Sequence, residues 1–291
     1  MTETGQKLQY LYYPGCSLES LAKEYDQSVR ACAEMLGVDL TELEDWSCCG
    51  ASSGHCTNRK LAAALPARNL AMAEQQGQDI AVACAACFLR FKQTTHDLRN
   101  DDALREETAK AIGLPFEAKV EVRHFLDVFV RQVGLDEIKK RVKKPLDGMR
   151  LVCYYGCYLV RPPEVTQFDD PENPTIMDEL LTALGAETLR WTHKVECCGG
   201  NLMLSRSDIV GKLVDDISQA AREAGAEAIV TACPLCEANL DTRQPGPETM
   251  PVFYFSELMA LALGVEPATV KSWMKRHVLS ASGVLSGHSL I

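Results

Sequence analysis

The sequence predicts an α/β protein made of two pseudo-symmetric repeated domains. Each is read as a mostly parallel sheet flanked by helices, with a cysteine cluster at the strand C-terminal ends. Three observations lead there. Short apolar runs alternate with helical stretches, the pattern of parallel α/β units. Ten of the thirteen cysteines fall into one plan that occurs twice. Most of the cluster cysteines follow directly on an expected strand or open a helix, where open α/β sheets place their ligand sites.

The plan is C-x31-CC-x34-CxxC in the first half and C-x39-CC-x34-CxxC in the second, each pair being followed by glycine. The first set is Cys16, Cys48, Cys49, Cys84 and Cys87. The second is Cys157, Cys197, Cys198, Cys233 and Cys236. The pairs and the CxxC units superpose at an offset of 149 residues, whereas the leading cysteines differ by 141. The second copy therefore carries eight extra residues in its first arm. They fall in the Pro- and acid-rich stretch 161–174, which reads as a surface loop. The duplicated unit spans roughly 140 residues, an ordinary domain size. We set the boundary near Pro145, giving domains 1–145 and 146–291, the second with a C-terminal tail.

The elements follow in order. Leu8 to Tyr13 is an apolar, aromatic run ending in Pro-Gly and reads as a strand. Leu18 to Leu36 has helical spacing and is closed by Gly37. Asn58 to Gln76 is a second helix, stopped by Gly77, and Asp79 to Ala83 is a strand running into Cys84. Residues from Leu104 to Val142 read as amphipathic helices. In the second half, Leu151 to Tyr155, Glu187 to Trp191 and Ala228 to Thr231 read as strands. Thr175 to Leu184 and Leu202 to Ala224 read as helices. The Ser/Gly-rich tail from Ser280 to Ile291 is expected to be loosely held unless a partner covers it. The CxxC units would sit at helix N-termini, where backbone N–H groups favour thiolates. Adjacent residues of a regular strand face opposite ways, so each Cys pair needs an irregular backbone, which Gly50, Gly199 and Gly200 permit.

Composition narrows the function. The chain has 291 residues, 46% hydrophobic, enough for two cores. Its net charge of -10 argues against nucleic acid or an anionic membrane surface as a partner. There is no run of 18 apolar residues, so no membrane insertion is expected. Residues 1–7 lack the apolar core of a signal peptide, and the expected location is cytoplasmic. In a reducing compartment an odd count of cysteines speaks for metal or redox chemistry over disulfides. Five thiols per set exceed what one tetrahedral zinc or an ordinary four-iron cube needs.

These two CCG signatures resemble the B subunit of heterodisulfide reductase, of the cysteine-rich CCG-domain family, from Tyr12 to about Gly264. The resemblance implies an oxidoreductase acting on sulfur groups. It implies that Cys16, Cys48, Cys49, Cys84 and Cys87 hold one noncubane 4Fe-4S cluster. By the same resemblance Cys157, Cys197, Cys198, Cys233 and Cys236 hold another, and a disulfide is cleaved between the two in two one-electron steps. It further implies electron delivery by a ferredoxin-like C subunit and a flavin-containing A subunit of the same complex. No nucleotide fingerprint and no ferredoxin-type cysteine run occur in this chain to do that work. The same residues admit alternatives: thiol or sulfane-sulfur oxidation, one cluster plus one zinc, or a non-catalytic relay. The substrate disulfide or thiol is not encoded in any motif we can read.

Other residues are weighed beside these. His55, close to the first pair, is a candidate proton donor or substrate contact, and equally a surface or supporting histidine. Cys153 competes with Cys157 as leading ligand, but the match of Tyr154-Tyr155-Gly156-Cys157 to Tyr13-Pro14-Gly15-Cys16 favours Cys157. Cys32 and Cys153 read as buried thiols and Cys56 as a core or loop thiol. His124, at the start of an apolar helix, reads as structural. His193, Lys194 and Arg206 are candidates for attracting an anionic substrate.

Overall fold

The computed structural model describes residues 8–291. The first seven residues, on which the expectation of no signal peptide rests, lie outside the described residues. The first half contains β1 (Leu8–Tyr13), α1 (Gly15–Glu19), α2 (Lys23–Leu36), β2 (Val38–Glu42), α3 (Gly54–Thr57) and α4 (Arg59–Gln76). It continues with β3 (Ile80–Val82), α5 (Ala85–Asn100), α6 (Asp102–Ile112), β4 (Val122–His124), α7 (Phe125–Asp127) and α8 (Leu135–Arg141). A wider helical turn, Val128–Gly134, joins α7 to α8. The second half contains β5 (Arg150–Tyr154), α9 (Pro163–Thr166), α10 (Ile176–Ala183), β6 (Glu187–Thr188) and α11 (Ser207–Glu223). It ends with β7 (Ala228–Thr231), α12 (Pro234–Thr242), β8 (Val252–Tyr254), α13 (Phe255–Leu263), α14 (Pro267–Met274) and α15 (Ser282–Gly287).

Two four-stranded parallel sheets result, ordered β2-β1-β3-β4 and β6-β5-β7-β8. The chain leaves β1 in one direction for β2 and crosses back for β3. The topological switch point therefore falls between β1 and β3, and likewise between β5 and β7. Crevices at such points are where open α/β sheets bind ligands. β1 and β7 match the sequence reading to the residue.

Several elements differ from expectation. β2, β4 and β8 are not predicted. β2 is a half-buried edge strand whose Asp39, Thr41 and Glu42 dilute its apolar signal. β4 and β8 are three residues long and run straight into helices. The stretch 161–174 is more than a surface loop. It contains α9 and buries Val165 and Phe168, with the Phe168 ring packed edge-on against Phe88 of the first half. Arg131 donates to the Phe168 carbonyl at 2.6 Å and clasps this arm to the other half. The C-terminal tail is not loose. Ala281, Leu285 and Leu290 are buried, and Lys144 donates to the Leu290 carbonyl at 2.7 Å. The apolar side chains of the tail find their cover on the same chain.

The halves interlock reciprocally. The helix after the last strand of each half packs on the first crossover helix of the other: α13 on α2, and α7 on α10. One hydrophobic core runs continuously through both. At the α2–α13 contact Tyr25 stacks on Tyr254, with ring centroids 4.1 Å apart and planes 4° from parallel. Ser28 and Ser256 share a hydrogen bond of 2.6 Å beside them. The Tyr25 hydroxyl donates to the Ala83 carbonyl at 2.9 Å, one residue before Cys84.

Tyr25→Phe deletes one neutral hydrogen bond and is expected to cost about 1 kcal/mol. Tyr25→Ala also empties the stacked position and is expected to cost about 3–5 kcal/mol. Urea unfolding of the two variants checks the order and the gap.

Candidate metal centre

Each cysteine set is assembled from the same parts. The leading cysteine opens α1 in the first half (Cys16) and follows β5 in the second (Cys157). The pairs lie in the loops after β2 and β6. Cys84 and Cys233 are the N-cap residues of α5 and α12, with Cys87 and Cys236 in the first turns. The expectation that CxxC units sit at helix N-termini is met, and both sets lie at the switch points of their sheets.

The thiols converge. Cys49 and Cys87 Sγ atoms are 3.1 Å apart, and Cys198 and Cys236 Sγ atoms are 3.6 Å apart. Cys16 is raised chiefly by its neighbour Cys48 and Cys157 by Cys197, so each leading cysteine lies beside its pair. Cys84 and Cys233 lie close enough to shift one another's titration, Cys84 upward and Cys233 downward. The two sets thus approach one another across the interface between the halves.

Glycine geometry makes the approach possible. Gly50 and Gly199 adopt left-handed φ values of +74° and +76°, and their N–H groups donate to Cys48 and Cys197 Sγ at 3.4 and 3.3 Å. Gly15 and Gly156 precede the leading cysteines, and a Cβ there would sit 3.4 Å from Cys87 Sγ and 3.1 Å from Cys236 Sγ. A tyrosine that the sequence reading did not single out braces each pair. Tyr13 donates to the Ser47 carbonyl at 2.9 Å, and Tyr154 to the Glu196 carbonyl at 2.6 Å, each just before its pair. This equivalence matches Tyr13 with Tyr154, the alignment that assigns Cys157 and not Cys153 as the leading cysteine. The signal was a tyrosine three residues ahead of each leading cysteine.

Electrostatics divide the thiols. Hydrogen bonds from Cys16, Cys49 and the Gly50 N–H pull Cys48 down to about 2. Hydrogen bonding from Cys157 lowers Cys197 to about 6, helped by the Gly199 N–H and opposed by burial. The hydrogen bond to Cys48 raises Cys49 to about 12, and crowding and burial raise Cys87 and Cys236. Protons are therefore held among sulfur atoms that would otherwise repel one another. Five converging soft donors, some already favoured as thiolates, fit a thiophilic metal or an iron–sulfur cluster. The donor number exceeds that of a single tetrahedral ion.

A cavity of about 180 Å³ opens onto the second set, between Tyr154, Tyr158, Leu213 and Leu235. Ala85 of the first half reaches into its wall. A wider cleft of about 490 Å³ shares Cys157 and Tyr158 with it and runs between Leu89 and the arm carrying Arg161, Pro163 and Glu172.

Other candidates fall into place. Cys32 and Cys153 are fully buried, as expected, and Cys56 is an exposed thiol on α3. His55 faces the Gly50 carbonyl at 3.4 Å and Cys56 Sγ at 3.3 Å, beside the first set without a hydrogen bond to its cysteines. Lys194 is not free to attract an anion, because its buried Nζ donates to Asp178 at 3.0 Å and to the Pro174 carbonyl at 2.9 Å. Arg206 is occupied by Asp208 on the surface. His124 is structural and more. Its Nδ1 accepts from the Leu126 N–H, so Nε2 carries the proton. That Nε2–H lies 2.7 Å from the Ala83 carbonyl and 3.1 Å from the Ala232 carbonyl. One imidazole thus bridges the residues preceding Cys84 and Cys233.

This architecture defines a twice-repeated cysteine-cluster protein of the α/β class. The chain belongs to the CCG cysteine-rich domain family, whose model matches residues 10–92 and 151–241. Among its relatives is a protein of Archaeoglobus profundus that is like the B subunit of heterodisulfide reductase, 32% identical, covering 90% of this chain and 93% of that protein. The 8-methylmenaquinol:fumarate reductase membrane anchor subunit of Wolinella succinogenes is 33% identical, covering 88% and 93%. The B subunit of the ferredoxin/F(420)H(2)-dependent CoB-CoM heterodisulfide reductase of Methanosarcina acetivorans is 29% identical, covering 88% and 89%. A crystal structure of a hypothetical protein from Helicobacter pylori shares the fold, with a TM-score of 0.70 at 10% identity. The match covers 93% of this chain and 51% of that one. No helix among the described residues is long and apolar enough to cross a membrane.

His124 gives the metal-free chain an acid limb. Burial lowers its folded-state pKa to about 4, whereas an unfolded histidine titrates near ~6.5. The unfolded state binds the proton first, so the contribution is intact above pH ~6.5 and is lost as pH falls toward 4. The expected loss is about 3 kcal/mol. Urea unfolding against pH should show this slope in the wild type and a flatter one in His124→Gln.

Proposed function

We propose that this chain is the disulfide-reducing catalytic subunit of a heterodisulfide reductase-like complex. The observation that carries the reading is the approach of two five-thiol sets at Cys84 and Cys233, whose preceding carbonyls share the His124 imidazole, with a cleft reaching Cys157 from outside. Cys16, Cys48, Cys49, Cys84 and Cys87 would hold one noncubane 4Fe-4S cluster, and Cys157, Cys197, Cys198, Cys233 and Cys236 the other. Iron–sulfur clusters supply single electrons, and an S–S bond takes two, which suits paired sites on either side of one substrate.

The residues around the sets have separable tasks. Leu213, Leu235 and the tyrosine rings line the cavity with apolar surface and limit water beside the second set. Asn201 donates to the Tyr158 hydroxyl and orients it at the mouth shared by cavity and cleft. Arg161 is held in the cleft wall by Glu172 at 2.9 Å and by the Pro171 carbonyl at 3.1 Å. His55 is the titratable side chain beside the first pair and would donate a proton to a departing thiolate there. The thirteen cysteines are all free, in keeping with a reducing, cytoplasmic setting. Electrons would arrive from a ferredoxin-like C subunit and a flavin-containing A subunit, the Wolinella and Methanosarcina relatives being subunits themselves.

The Wolinella relative, a subunit of a menaquinol-linked reductase, supports a second reading. In it the same sets relay electrons between a quinol and a partner subunit without touching a disulfide.

Anaerobic purification with iron, sulfide and zinc counts comes first. About eight iron per chain are expected in the wild type. Cys48→Ser and Cys197→Ser should each lose close to half of it, and Cys32→Ser should lose none. Disulfide-dependent oxidation of reduced viologen then separates the readings. Turnover that disappears in Cys84→Ser and Cys233→Ser supports the reductase. Full iron with quinol-dependent reduction and no disulfide turnover would leave the relay. Zinc in place of iron would sink both.

A further inference from the structure

Behind the second set lies a buried cluster that the cysteine chemistry does not use. Glu237 and Asp241 stand one turn apart on α12, a spacing that puts both on one helix face. His277, from the segment after α14, faces them, and the potential ligand atoms of the three lie within 4.8 Å of one another. The His277 side chain is completely buried. Its Nε2 pairs with Glu257 Oε1 at 3.0 Å. Its Nδ1 is 3.6 Å from Glu237 Oε1, and no hydrogen-bond partner reaches it. Each carboxylate is already oriented. Tyr254 donates to Glu237 Oε2 at 3.0 Å. Val278 and Leu279 donate their N–H groups to the two Asp241 oxygens at 2.5 and 2.9 Å.

We propose that Glu237, Asp241 and His277 bind one divalent transition-metal ion, through His277 Nδ1 and one oxygen from each carboxylate. Three features support the assignment. With Nε2–H given to Glu257, the buried and unpartnered Nδ1 faces two carboxylates, a position that calls for positive charge, whether a proton or a bound cation. A carboxylate on the far ring nitrogen is the partner that metal-binding histidines usually have, fixing tautomer and ring plane. Finally, four carboxylates (Glu24, Glu237, Asp241 and Glu257) surround this spot against one guanidinium, Arg276, which pairs with Glu24 at 2.5 Å. A divalent ion offsets more of that charge than a single imidazolium proton does. Oxygen and nitrogen donors without sulfur suit Mn²⁺ or Zn²⁺ and separate this site from the thiolate sets. The ion would pin the 277–279 segment to α12, the helix whose first turn carries Cys236 and whose N-cap is Cys233.

Mn²⁺ is the probe, because a hard ion disregards thiolates. Full-length protein with its cysteine sites as purified is dialysed against a chelator and titrated with Mn²⁺ at pH 8. The free six-line EPR signal is followed. One equivalent should bind and be released by one equivalent of Zn²⁺. Glu237→Gln and His277→Gln should bind at least about tenfold more weakly, while the surface variant Asp208→Asn binds as wild type. Mn²⁺ should also raise the unfolding temperature of the wild type and not of Glu237→Gln. Should His277→Gln fail to fold, the near-isosteric Glu237→Gln decides. Substoichiometric uptake by the wild type, undiminished binding by Glu237→Gln, or an equal thermal shift in both overturns the proposal and leaves His277 as an imidazolium between carboxylates.

Discussion

The structure depends on how two strand ends are held side by side. Cys84 and Cys233 open their helices from β3 and β7 and influence one another's titration across the interface. Behind them the carbonyls of Ala83 and Ala232 converge on one imidazole, and two buried acceptors in that position need a donor between them. His124 supplies a single shared N–H, and Tyr25 adds a hydroxyl to Ala83. A neutral imidazole is the group that can do this from a helix start, since its other nitrogen accepts the Leu126 N–H.

The reciprocal helix exchange serves that end. Were each half closed on itself, its first crossover helix would need its own cover. Instead α2 is covered by α13 and α10 by α7, so separating the halves exposes both faces at once. The arm at 161–174 adds a third tie through Phe168 and Arg131. Duplicated units with so much shared core hold the two cysteine sets in one fixed relation.

Much of this was legible in the residues, because cysteine spacing and glycine placement are local constraints. The repeated cysteine plan and the association of its CxxC units with helix N-termini rest on short sequence intervals. β1 and β7 were legible because their apolar runs are unbroken. β2 was not, because its alternation is only two apolar residues long, Val38 and Leu40, and follows directly on the helix closed by Gly37. The bracing by Tyr13 and Tyr154 was visible only as a repeated tyrosine, whose hydroxyl target depends on how the pair loop returns. Lys194 looked free because its partner Asp178 lies on the preceding helix, brought near by the crossover. The tail looked loose because its few apolar residues, Leu285 and Leu290, find their cover only in the folded chain. The Glu237–Asp241–His277 cluster draws on segments some 36 residues apart, counted from Asp241 to His277, and no motif joins them.

The two halves repeat their donors but not their surroundings, and this difference carries weight. The first pair is bordered by the exposed α3, with His55 and Cys56 beside it. The second is bordered by an apolar cavity, a neighbouring cleft, and a buried carboxylate and histidine cluster beyond α12. Thiolate stability differs accordingly. Cys48 is lowered to about 2 by three hydrogen bonds against partial burial, while Cys197 reaches only about 6. Equal ligands in unequal dielectric and hydrogen-bonding environments bind metal with unequal electron affinity. A molecule lying between the sets would therefore meet one wetter, more accessible side and one drier side. Duplication accounts for there being two sites. The eight added residues of the second arm, and the cleft they wall, account for their not being interchangeable.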